Sequence, residues 1–279
     1  MDRNQALMML IEEAHRGDFH FPTSAKLAIK IRQTLDDPDC HLDAAGKLIQ
    51  AEPLLAAQVI SIANSVAYNP SGREITDLRT ATSRLGFSTL RTMAMAFVTR
   101  QMAGNSPSPE RRQLAATMWE HTAHVAALSH ILATKVTKAN RDTALFAGLV
   151  HEIGGFYLLS RADEYPALLA EPSTASSEIS LASVENTLTL AVLRNLGIPE
   201  TVLDAIEQFT EGFLSTPPQT LGDTLLMAEY LAPGHSPLSP AEPSESTIAL
   251  DLAIEKNTII EIVAESTDEV ASLTQALCA

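Results

Sequence analysis

The chain has 279 residues, 46% of them hydrophobic, which is enough for a sizeable core in one large domain or two small ones. It carries 34 acidic against 19 basic side chains, a formal net charge of −15 with no polybasic run. Binding to a nucleic-acid backbone or an anionic membrane surface would begin against repulsion, so neither is an expected partner. The two cysteines, Cys40 and Cys278, lie far apart and form no CxxC pair, which argues against a disulfide framework or a zinc–thiolate site.

In chain order, almost every segment reads as helix. Leu, Ala, Met and Glu dominate, apolar positions recur at helical spacing, and alternating β-branched runs and Asn-Gly hairpin signals are missing. The expected fold class is therefore all-α. Residues 1–18 form an N-terminal helix. Acidic residues follow its short apolar stretch, unlike a secretory signal. No apolar run reaches the length of a membrane span, and the expected location is the cytoplasm.

Residues 19–104 read as a lobe of short helices. Pro53 opens one of them, where its missing N–H costs nothing. Asn64–Ser65 closes that helix, with Asn64 suited to a left-handed C-cap. Gly86 stops the next helix and Ser88 caps the one after it, which carries Leu90, Met93, Ala94 and Phe97 as an apolar stripe. This helix–Gly–helix outline could pass for a DNA reader, but the second helix is rich in Met, Ala and Phe, with Arg91 and Arg100 its only cations. An α-hairpin that buries its apolar face is the expected reading.

Residues 105–232 form a helical core. Its first helix lines Leu114, Met118, His121, Val125, Leu128 and Leu132 along one face, with His124 on the shoulder and His130 pointing away. The next helix begins at Asn140 or Asp142. It carries Leu145, Leu149, Glu152 and Phe156 on one face, with Ala144, Gly148 and His151 beside it. Small residues there let the two helices approach closely. Residues 233–247 are a Pro/Ser-rich linker. Residues 248–279 are an acidic amphipathic tail with apolar Leu252, Ile259, Ile260, Ile262 and Val263, suited either to docking on its own domain or to a partner.

The segment "GLVHEIGG" (148–155) carries the chemistry. His151 and Glu152, with His121 from the preceding helix, make a donor set of imidazole and carboxylate that suits a borderline divalent metal. Such an ion would lower the pKa of bound water and polarise a phosphoryl oxygen. A fourth ligand would come from a distant helix, with Glu229 the first candidate and Asp223 the second.

"WEHTAHVAALSHILA" followed by "ALFAGLVHEIGGFYLL" resembles the core of the HD superfamily of metal-dependent phosphohydrolases. Upstream, "EPLLAAQVISIANS" and "ITDLRTATSRLG" resemble the N-terminal lobe of the HDOD domain, and "LGIPETVLDAI" (196–206) resembles its later Pro-containing segment. The resemblance spans residues 19 to 232 and implies a multi-helical HDOD fold, with the N-terminal lobe packed on an HD-like core. It also implies a non-enzymatic role in bacterial signalling, exercised through contacts with other signalling proteins.

Two departures from the catalytic pattern bear on the site. The HD pair appears as His151–Glu152, and the later metal-binding Asp falls at Glu229, so both aspartates are glutamates. The further histidines of the HD-GYP branch fall at Glu185, Phe209 and Thr210. The expectation is a vestigial site of His121, His151, Glu152 and Glu229, with no required cofactor and room for at most one weakly held divalent ion. The competing reading is a metal-dependent phosphohydrolase using those four residues.

Overall fold

The computed structural model describes residues 2–103, 106–170, 179–212, 214–215, 217–238 and 256–279. The greater part of the predicted linker, and Leu252 of the tail, lie outside them. Every regular element among the described residues is helical. In order these are α1 (Arg3–Arg16), α2 (Thr23–Leu35), α3 (Leu42–Gln50), α4 (Pro53–Asn64), α5 (Leu78–Ala103), α6 (Pro109–Leu132), α7 (Arg141–Val150), α8 (Ile153–Arg161), α9 (Leu181–Asn195), α10 (Glu200–Glu211), α11 (Leu221–Leu231), α12 (Lys256–Glu265) and α13 (Thr267–Cys278).

Helix α1 starts at a reciprocal cap: Asp2 accepts from the Gln5 amide at 2.8 Å, and the Gln5 side chain accepts from the Asp2 amide at 3.1 Å. It packs on α9, so the chain begins on the core before crossing to the lobe. Glu13 of α1 meets Arg161 of α8 at 2.8 Å, which fixes that docking.

The lobe is built on α5, against which α2, α3 and α4 pack. Gly86, at φ 73 and ψ 171, is the stop the sequence predicts: it leaves helical geometry and divides α5 into two helices that meet at a kink. Beyond the bend, Leu90, Met93, Ala94 and Phe97 are buried as the stripe predicts, but Met95, Ala96 and Val98 are buried too. The helix is buried around most of its circumference because the lobe covers one flank while α7 and α8 cover the other. The segment that outlined a DNA-reading helix is thus interior.

Two polar clamps join lobe and core. The Arg32 guanidinium donates to the Leu196 and Gly197 carbonyls in the turn after α9. The Tyr68 hydroxyl donates to Asp142 at 2.8 Å. Asn64 has a different role from the predicted left-handed cap. The helix passes into an extended Ser65 at φ −61, and Asn64 braces the loop by donating to the Ile75 carbonyl at 2.7 Å and accepting from the Ile75 amide at 2.8 Å.

Helices α6 and α7 pack closely at Gly148, where a Cβ would come within 2.5 Å of the Ala126 Cα. The stretch Arg141–Arg161, 21 residues, is long and apolar enough to span a membrane, which the sequence reading overlooked. Of its apolar window, 83% is buried inside the protein. A single core cluster runs from α1 through both lobes to Leu273 and Leu277 of α13, so the tail docks on its own chain.

The Gly148 contact predicts that Gly148→Ala destabilises the protein by about 1–3 kcal/mol, because overpacking against backbone outweighs a helix-propensity gain of about 1 kcal/mol. Gly46→Ala, on a helix with no atom within 4 Å of the new methyl, should instead be neutral or stabilising. Urea midpoints of the two variants check this pair.

His130, on the far side of α6, is 2% exposed and packs 5.5 Å from the Tyr68 ring. Burial first, then the Arg141 charge, push its pKa down to about 4. Between pH 6.5 and 4 the unfolded chain holds this proton and the folded chain does not, so stability should fall with pH across that window, by up to about 3 kcal/mol. Comparing denaturation of the protein and of His130→Asn at several pH values should show the slope only in the former.

Candidate metal centre

His121 reaches the site because it lies on the core stripe of α6, between buried Met118 and Val125. Asn140 caps α7 by accepting from the Asp142 and Thr143 amides at 3.0 and 2.9 Å. The helix predicted to continue through Phe156 breaks at its centre. It ends at Val150, His151 and Glu152 form a turn with Glu152 at φ −113 and ψ 25, and α8 starts at Ile153. The physical reason lies in α9. Helix α8 must lie so close to it that a Cβ on Gly154 would meet the Glu185 carbonyl at 2.3 Å. Redirecting the chain toward α9 separates the two side chains of the pair.

His151 turns into the site. Its Nδ1 donates to the Gly148 carbonyl at 2.7 Å, which aims Nε2 at Glu229 of α11, 3.4 Å away. The same Glu229 oxygen, Oε2, lies 3.0 Å from His121 Nε2. The two imidazole rings stand 6.0 Å apart, so α6, the α7–α8 turn and α11 bring His121, His151 and Glu229 together. Glu152 is directed elsewhere: its Oε1 accepts from the Thr122 hydroxyl, and its buried Oε2 has no hydrogen bond. The Thr122 hydroxyl also lies 2.9 Å from the Met118 carbonyl, so its single proton is shared between the two acceptors. Nothing in the sequence singled out Thr122, since a Thr inside an α-helix is unremarkable until its neighbour across the helix is known.

The other residues named from sequence lie off this cluster. Asp223 is consumed by local structure. It accepts from the Ser215, Gln219 and Thr220 amides at 2.9, 2.9 and 2.8 Å, and completes the reciprocal cap of α11 with Thr220. His124 Nδ1 bonds to the Glu120 carbonyl at 2.9 Å. Of the positions where the HD-GYP branch has histidines, Phe209 sets its ring edge-on to His151 at 5.6 Å, Thr210 bonds to the Glu207 carbonyl at 2.8 Å, and Glu185 lies against Gly155.

The donor atoms of His121, His151 and Glu229 all lie within 4.8 Å of one another. Two histidines and a carboxylate fit one divalent ion with open positions. Without an ion the same atoms satisfy each other. With Nδ1 donating to a carbonyl and Nε2 facing a carboxylate, His151 has a use for both ring protons. Burial opposes its charge, but the Glu229 contact and the charges of Glu152 and Glu229 prevail and raise its pKa to about 9. Burial would raise the Glu229 pKa, yet the contacts with His121 and His151 drive it well below the usual carboxylate range. The metal-free site is an imidazolium–carboxylate pair.

Because the folded pKa of His151 lies above 6.5, the pair stabilises fully below that pH, and its contribution is lost as pH rises through about 9. Imidazole resonances of the metal-free protein should show His151 protonated at pH 7. Glu229→Gln should lower that pKa and cost about 1–3 kcal/mol of stability at pH 7, since it removes the carboxylate in contact with the buried imidazolium. A neutral His151 at pH 7 in the metal-free protein would contradict this charge assignment.

The HDOD domain profile matches residues 21–211, more than half of the chain. Among solved structures, the fold is similar to a provisionally named metal-dependent phosphohydrolase from Shewanella amazonensis SB2B. That pair superposes with a TM-score of 0.73 at 18% identity, covering 99% of each chain. It is also similar to an HDOD domain protein of unknown function from Geobacter sulfurreducens, with a TM-score of 0.60 at 20% identity over 98% of this chain and 97% of that one. A provisionally named signal transduction protein from Marinobacter aquaeolei VT8 covers all of this chain and is itself covered to 67%, with a TM-score of 0.54 at 20% identity. No curated protein matches the sequence significantly. At these identities the solved structures show a shared fold, and the profile match shows the family: this chain belongs to the HDOD domain proteins.

Proposed function

We propose that the protein is a regulatory member of the HDOD family, working in the bacterial cytoplasm through contacts with other signalling proteins, with an HD-type site that no longer catalyses. The observation that carries this reading is the distribution of the four candidate ligands. Glu229 pairs with both histidines, and Glu152 is held by Thr122 on the other side of the turn. Against the aspartates of the HD pattern, each glutamate has one methylene more of reach, and here Glu229 lies between the two histidines while Glu152 turns to Thr122. Family membership and the signal-transduction neighbour support the regulatory role.

A second reading rests on one observation: three donors within 4.8 Å of one another could hold a divalent ion. His121, His151 and Glu229 would be its ligands, and the ion would supply Lewis acidity and an activated water. Phe209 packed on His151 leaves that face of the ring apolar, which does not favour a second ion.

Metal content of the purified protein, measured with a screen of phosphomonoesters, nucleotides and cyclic dinucleotides, separates the two. We expect substoichiometric metal and no turnover above background. His151→Ala should lower stability but leave signalling in the native cell largely intact. Stoichiometric metal, with turnover abolished by both His121→Ala and Glu229→Gln in folded protein, would overturn the regulatory reading and make the site a working centre.

A further inference from the structure

A cleft of about 550 Å³ lies between α6 and α13, away from the histidine site, with the end of α5 closing one side. Its volume is in the range of small-molecule sites. Along α6 the lining runs from Arg112 past Ala115, Ala116 and Trp119 to Glu120 and His124. These positions recur at three- and four-residue intervals, so they share one face, a different face from the one that carries His121. Thr274 and Gln275 of α13 form the opposite wall, and Arg100 reaches in from α5.

Two features of this cleft ask for a ligand. Two guanidiniums enter it in a protein of net charge −15, and among the described residues neither makes a salt bridge. Arg112 is held by the Ser106 and Pro107 carbonyls at 2.8 and 3.0 Å through one nitrogen, Nη1, which leaves its other donors available. Thr274 of α13 is 6% exposed and lines the cleft, with its hydroxyl turned into the protein. Arg100 stands 5.9 Å over the Trp119 ring, whose Nε1 is anchored on the Leu277 carbonyl at 3.2 Å, so an indole and a guanidinium are held together at the apolar part of the cleft.

The order of groups selects the ligand. Arg112 offers a fork for a phosphate. Ala115 and Ala116 leave room beside it. Trp119 is 5% exposed and backs Arg100, whose guanidinium plane is the surface that suits a flat heteroaromatic base. Glu120, two turns on from Arg112 and so about 12 Å along the axis, would repel a second anion but accepts from N–H groups on a base edge. We propose that this cleft is a binding site for a purine nucleoside monophosphate. Because its walls belong to α6 and α13, an occupied cleft would also hold the C-terminal helix on the core. The proposal goes beyond the regulatory reading and stands or falls independently of the histidine site.

Trp119 is the single tryptophan of the chain, so its fluorescence reports on the cleft directly. The test titrates the full chain with AMP, GMP, adenosine and inorganic phosphate, following Trp119 emission and the thermal midpoint. AMP or GMP should give a saturable change and a raised midpoint, with adenosine and phosphate each binding at least about tenfold more weakly, as expected when one charged hydrogen-bonding end is missing. Arg112→Ala should lower nucleotide affinity by about tenfold or more through the same loss. Ala116→Phe, at an exposed position, should block binding while circular dichroism stays unchanged. The proposal is overturned if neither nucleotide saturates up to millimolar concentration. It is equally overturned if adenosine or phosphate alone binds as tightly as the nucleotide, or if both folded variants bind it unchanged.

Discussion

The absence of a side chain at Gly148 is the constraint on which the site depends. It lets α7 settle against the backbone of Ala126 on α6, and that contact brings His151, a turn further on, opposite His121. The Gly148 carbonyl also receives the His151 Nδ1 proton, so one residue sets both the spacing of the helices and the direction of the imidazole. A second close contact, Gly154 against α9, turns the chain at His151–Glu152 and decides where each member of the pair can reach.

Charge balance follows from that geometry. A buried imidazolium survives only beside compensating carboxylates, and His151 has two of them, Glu229 in contact and Glu152 nearby. In a metal-dependent relative an ion would supply the positive charge. Here the proton on His151 can supply one positive charge, which balances only one of the two carboxylates. Glu152 Oε2 and His121 Nδ1 stay buried without a hydrogen bond beside it. What the fold offers beyond this site is its surfaces.

Those surfaces include a tail that is structurally part of the domain. The Leu277 carbonyl accepts from both the Trp119 indole and the Gln58 amide, at 3.2 and 3.0 Å, tying α13 to α6 and α4 at once. The tail thus touches both the lobe and the core, and anything that binds between α6 and α13 acts on the contact between them.

The sequence by itself determined the helical class and the face of α6 that carries His121, because these follow from local periodicity and capping. It also named the residues that meet: His121, His151 and Glu229. What it placed wrongly were features that depend on neighbours distant in the chain. Asn64 was read as a cap, but its partner is Ile75 across a loop. The stripe on α5 was read as one-sided, but two sets of helices cover it. Glu152 was grouped with the ligands because it follows His151, yet adjacent residues point together only if the backbone between them stays regular, and the approach of α8 to α9 breaks it there. Asp223, an alternative ligand by residue type, is bound up in the cap of its own helix. The cleft beside Trp119 was invisible for the same reason: its walls come from segments more than a hundred residues apart, and only tertiary packing decides which faces of two helices leave a gap between them.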